Sequence, residues 1–133
     1  MKTRVMLVDD HAVVRMGFKL LLQATDDIEV VAEAETGEAA YQRYSEVSPD
    51  VVVMDIAMPG MGGIEAVKRI VARDKNAKIL ALSAHQDTSH PRRVLKAGAL
   101  GYLSKRGAPE ALIDAIRSIA RGRMYLDAQI AQR

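Results

Sequence analysis

The chain has no cysteine, which excludes a disulfide scaffold, a thiolate nucleophile and a cysteine-ligated metal, and is compatible with a reducing cytoplasm. No uninterrupted apolar stretch approaches the roughly 20 residues that a membrane-spanning helix needs. The run Val5 to Val8 is too short for a signal-peptide core and stops at Asp9-Asp10. Excess charge is nearly absent as well: 19 Lys and Arg against 17 Asp and Glu leave +2, so the total makes no electrostatic case for nucleic acid. There is no internal repeat, no low-complexity stretch and no linker before about Gly122. With 133 residues, the chain holds one ordinary domain and is too short for two comfortable ones. A soluble, cytoplasmic protein that does not engage a membrane is the expectation.

What is there is a regular alternation. Five short apolar runs, rich in β-branched residues, fall at Arg4 to Val8, Ile28 to Ala32, Val51 to Met54, Ile79 to Leu82 and Leu100 to Leu103. Between them lie segments with helical spacing: Val14, Phe18, Leu21 and Leu22 share one face, Ile64, Val67, Ile70 and Val71 another, and Leu112, Ile116, Ile119 and Ala120 a third. Alternating strand and helix argue for an α/β domain whose parallel sheet is covered on both faces. Turn chemistry marks the joints: Thr36-Gly37 precedes the second helix, Gly98 closes the fourth, and Pro109-Glu110 fits the first turn of the fifth. Pro91, followed by Arg92 and Arg93, predicts a fourth helix that starts late and is weakly held at its N-terminus.

In an open parallel sheet, ligands bind outside the carboxyl ends of the strands. The residues just after the runs are Asp9-Asp10, Asp55, Ser83 and Lys105. If the first, third, fourth and fifth strands are neighbours, three carboxylates, a hydroxyl and an ammonium meet at one edge. Such carboxylates repel one another, and a hard divalent cation such as Mg²⁺ removes that cost while leaving room for a phosphoryl group. The bland reading of Asp9 and Asp10 is a helix N-cap with a first-turn acid.

Asp9-Asp10, Asp55 in the context Met-Asp-Ile-Ala-Met-Pro-Gly, Leu-Ser-Ala ending at Ala84 and Gly-Tyr-Leu-Ser-Lys ending at Lys105 together resemble the receiver domain of bacterial two-component response regulators. Asp-Asp-His near the start, Arg106 after Lys105, and Gly-Arg-Met-Tyr-Leu near the end are similar to its LuxR-type (NarL/FixJ) subfamily. The resemblance implies a single doubly wound, flavodoxin-like, five-stranded parallel sheet of order 2-1-3-4-5, with helices on both faces. Residues 1–122 are expected to form the receiver, and residues 123–133 the start of an interdomain linker or a short C-terminal helix.

For the site, the resemblance implies that Asp55 accepts a phosphoryl group from a sensor histidine kinase. Asp9, Asp10, Asp55 and the backbone carbonyl of Ala57 would hold Mg²⁺ or Mn²⁺, and Ser83 and Lys105 would hold the phosphoryl oxygens. Ser83 and Tyr102 would form the switch, and His85 would tune dephosphorylation. It further implies homodimerisation on phosphorylation, and DNA contact only through a C-terminal helix-turn-helix domain absent from this chain, which is then either a piece of a longer protein or a stand-alone receiver. His11 could lie near the metal, with a helix-surface role as its plainer reading. Catalysis would be confined to self-phosphorylation and slow autodephosphorylation, so the domain is not an enzyme in the usual sense. A phosphate-independent interaction module is a competing expectation. A haloacid-dehalogenase-type phosphohydrolase is a weaker one, since that chemistry needs an aspartate where Ala57 stands.

Overall fold

The computed structural model describes residues 2–58, 62–83, 90–105 and 109–126. In chain order the elements are β1 (Thr3–Val8), α1 (Ala12–Gln23), β2 (Ile28–Ala34), α2 (Gly37–Val47), β3 (Val51–Asp55), α3 (Gly62–Arg73), β4 (Ile79–Ser83), α4 (His90–Ala97), β5 (Gly101–Ser104), α5 (Pro109–Ala120) and β6 (Tyr125–Leu126). The strands form one sheet of order β2-β1-β3-β4-β5-β6, and all its pairings are parallel. The expected order therefore holds, but the sheet has six strands rather than five. Tyr125 and Leu126, read from sequence as linker or helix, pair with Gly101 and Tyr102 on the outer edge of β5.

Strand side chains alternate between faces, and this divides the core in two. Met6, Val8, Val52, Met54, Ile79 and Ala81 face Ala40, Tyr44, Val67, Ile70 and Val94 of α2, α3 and α4. Val5, Leu7, Val51, Val53, Leu80 and Leu82 face Leu22 of α1 and Leu112, Ile116 and Ile119 of α5. Strands buried on both sides read as unbroken apolar runs, which is why they stood out in the sequence.

Helix ends follow the local chemistry. The Thr36 hydroxyl accepts the Ala39 N–H at 3.0 Å as the N-cap of α2. Gly98 follows α4 at φ +119°, a conformation open to glycine at little cost. The described part of α4 starts at His90, directly before Pro91; of the expected weak entry over residues 87–93, residues 87–89 lie outside the described residues. Helix α1 carries an unexpected second apolar strip, with Val13, Met16 and Leu20 each more than three-fifths exposed. Among the described residues, no helix is long and apolar enough to cross a membrane.

Candidate functional site

Three main-chain hydrogen bonds carry the sheet pattern just past the ends of its strands. The Asp9 N–H donates to the Ala34 carbonyl at 3.0 Å, that of Ile56 to Leu82 at 3.1 Å, and that of Lys105 to Ser83 at 2.8 Å. They hold Asp9, Asp55 and Lys105 at one level of the carboxyl edge. Gly63, in the first turn of α3, allows the close approach behind them. A Cβ there would overlap the Asp55 carbonyl oxygen and the Ile56 Cα.

The side chains then converge. Asp55 is fully buried, Asp9 is 3% exposed, and Asp10 opens the site to solvent. Lys105 Nζ lies 2.8 Å from Asp9 Oδ2 and 3.0 Å from Asp55 Oδ2. Neither oxygen accepts a well-directed hydrogen bond, so the ammonium balances them as a point charge. The other oxygens are held by the main chain: Asp55 Oδ1 accepts the Ala57 N–H at 2.9 Å and Asp9 Oδ1 the His11 N–H at 2.8 Å. The N-cap of α1 is His11, which makes no side-chain capping bond, and the first turn holds no acid, so neither Asp9 nor Asp10 is the helix cap or first-turn acid of the plainer expectation. Burial pushes the Asp55 carboxyl above the ordinary carboxylate range, against the opposing pull of the Ala57 N–H and Lys105. Burial also works against charge on Lys105, but Asp9 and Asp55 outweigh it and lift its pKa above that of an ordinary lysine.

The arrangement fits a divalent cation. Three carboxylates face one ammonium, and two buried oxygens lack a good donor. Ligand atoms of Asp9, Asp10, His11 and Asp55 all lie within 4.8 Å of one another. Such hard oxygen donors suit Mg²⁺ or Mn²⁺. An apolar cleft of about 420 Å³ between α1 and α5 reaches Lys105 from the opposite side, and no carboxylate lines it.

The other predicted residues are distributed unevenly. Ser83 ends β4 at this edge, buried and paired in register with Ser104. Tyr102 is 1% exposed on the α4 side of the sheet, beside Ala81 of β4. Ala57 is exposed at the mouth of the site, and Met58 is buried in the core next to α3. His85 and Arg106 lie outside the described residues.

One contributor was missed from sequence. Arg15 of α1 donates from Nη1 to the Asp9 carbonyl at 2.6 Å, while its other nitrogens reach Glu33 at 2.9 Å and Glu35 at 3.3 Å. Lys19 adds a 3.0 Å contact to Glu33, and Lys19 and Arg15 together hold the Glu33 carboxyl below its ordinary pKa. The network fixes the backbone that presents Asp9. Its sequence signal was the two glutamates at the end of the apolar β2 run.

Residues 5–117 match the family model described as "Response regulator receiver domain". The chain is 44% identical over 128 residues to the response regulator UvrY of Escherichia coli (strain K12), covering 96% of this chain and 59% of UvrY. It is 39% identical over 129 residues to the response regulator GacA of Pseudomonas viridiflava, covering 97% and 60%. The chain thus spans about three-fifths of the length of these curated relatives. Among solved structures, a LuxR-family two-component response regulator from Aurantimonas sp. SI85-9A1 superposes with a TM-score of 0.95 at 42% identity, over 99% of this chain and 94% of that one. With its charged edge on a sheet of this order, the chain belongs to the response regulator receiver domains, and among them to the LuxR (NarL/FixJ) type.

Proposed function

We propose that the domain is a phosphorylation-dependent switch in which Asp55 accepts a phosphoryl group from a phosphohistidine of a sensor histidine kinase. Receiver domains are regulatory switches rather than classical enzymes, and here the chemistry amounts to one transfer onto the domain itself, with slow loss to water. The observation that carries the reading is the Asp55 carboxylate: fully buried, anchored at Oδ1 by the Ala57 N–H, and faced at Oδ2 by Lys105. One carboxylate oxygen attacks phosphorus as the bond to the imidazole nitrogen breaks. The imidazole keeps that electron pair, and an acyl phosphate forms on Asp55.

Asp9, Asp10, Asp55 and the Ala57 carbonyl would hold Mg²⁺ or Mn²⁺, which when bound supplies positive charge to offset the oxygens gathered there. Lys105 neutralises Asp55 before transfer and a phosphoryl oxygen afterwards, and Ser83 donates its hydroxyl to another. Drawing Ser83 toward the new group frees space beside β4, and Tyr102 answers by repacking. His85 tunes attack by water. In this reading the output is transcription control through a helix-turn-helix domain beyond residues 1–133, with dimerisation on phosphorylation.

The test is intact mass after incubation with Mg²⁺ and acetyl phosphate, in parallel with Asp55→Ala. One phosphoryl group is expected on the parent only, dependent on metal and removed by hydroxylamine. No gain on a parent shown separately to bind Mg²⁺ would overturn the switch and favour a phosphate-independent interaction module.

A further inference from the structure

The reading above leaves His11 without a task. Its side chain is 65% exposed, so it does not serve the core. Nor does it cap α1 through its ring, although it stands at the N-cap position. Instead the ring turns back over the acidic pair: Nδ1 lies 3.2 Å from Asp10 Oδ1 and 3.4 Å from Asp9 Oδ1. Two ligand atoms that share one cation at about 2.1 Å are separated by roughly 3.0 to 3.4 Å in octahedral or tetrahedral geometry. The imidazole nitrogen thus sits where a ligand of the same ion would sit, on the solvent-open side of the cluster.

We infer that His11 supplies a nitrogen ligand to the cation held by Asp9, Asp10 and Asp55, and so biases the site toward borderline transition cations and away from Mg²⁺. This rests on the metal-dependent switch proposed above and extends it to the choice of metal. A site of carboxylates, carbonyl and water suits Mg²⁺. Replacing one oxygen or water by imidazole favours Zn²⁺, Fe²⁺ and Ni²⁺, because nitrogen is the softer donor and Mg²⁺ gains little from it. The residue that follows the acidic pair would therefore set which divalent ion gates phosphorylation.

The inference is tested on the whole chain by binding measurements and histidine NMR. Isothermal titration gives the affinities of the parent and His11→Ala for Mg²⁺ and Zn²⁺, and ¹⁵N-histidine spectra follow the three histidines during both titrations. Expected are a Zn²⁺-to-Mg²⁺ affinity ratio that falls at least roughly tenfold in His11→Ala, and a coordination shift of the His11 Nδ1 resonance in the parent with Zn²⁺ but not with Mg²⁺. Mg²⁺ binding to the parent with an unchanged ratio, or a Zn²⁺ shift confined to the other two histidines, overturns the role of His11 and leaves the switch standing. Absence of binding by either ion overturns both. The NMR experiment on the parent decides the matter even if the variant folds poorly.

Discussion

At the carboxyl edge of the sheet Lys105 meets Asp9 and Asp55, and at the opposite edge Arg117 of α5 meets Asp27, the residue before β2. The partners are of the same kind and the distances nearly equal. The Arg117 fork donates to both Asp27 oxygens at 2.9 Å, with both side chains close to half exposed. That hydrogen bond holds the Asp27 carboxyl below its ordinary pKa. At the other edge burial raises the pKa of Asp55. Two aspartates with cationic partners are thus driven in opposite directions by their settings. A hydrated pair contributes little to stability, whereas a buried and over-acidic one is costly to maintain. The second kind persists at the edge where the phosphoryl chemistry is proposed.

The largest test of this contrast is Lys105→Met, which keeps the aliphatic stem and removes the charge. Asp9 and Asp55 would then share a buried space without a cation, and a loss of about 3 kcal/mol is expected. It should appear as a lower urea midpoint at unchanged slope and be largely recovered by adding Mg²⁺. A loss near zero would mean that this edge is as well solvated as the other.

Asp55→Asn should act in the opposite direction, stabilising the metal-free domain by about 1 kcal/mol near neutral pH by removing a charge that burial disfavours. The sign follows from the raised folded pKa. Protonated Asp55 favours folding, and that contribution is lost as pH rises from the ordinary carboxylate value through the folded one. The variant should lack this decline, so urea midpoints of the two proteins should diverge as pH rises above the ordinary carboxylate value. Parallel curves would show that Asp55 titrates as an ordinary surface acid.

Arg117→Ala should have the smallest effect, within the scatter of the same measurement and abolished by high salt. Here the folded pKa of Asp27 is lowered, so any contribution is present above the ordinary carboxylate pKa and fades as pH falls through the folded value. A clear loss at neutral pH would close the gap between the two edges.

Much of the site was legible because of where its residues stand. Asp55, Ser83 and Lys105 end apolar runs or closely follow them, and a run buried on both faces places its terminus at a sheet edge. Other features left weaker traces. Arg15 acts by donating to a main-chain carbonyl, which residue type does not reveal. A strand of two residues, such as Tyr125–Leu126, is too short to show any period. The exposed Val13, Met16 and Leu20 give α1 apolar residues around much of its circumference, a pattern usually read as a buried helix.

By itself, then, the sequence determined the alternation of strand and helix, the division of each strand between two faces, and the set of acids, hydroxyl and lysine at the strand ends. These follow from local periodicity and from the cost of burying charge away from an edge. Only the tertiary structure decided that Lys105 bridges Asp9 and Asp55, that Arg15 pins the Asp9 backbone, and that the His11 ring turns over the acidic pair. The Lys105 contacts depend on strand order and register, which join residues far apart in the chain, and those of Arg15 and His11 on side-chain orientation around the β1–α1 turn; neither leaves a periodic trace along the sequence.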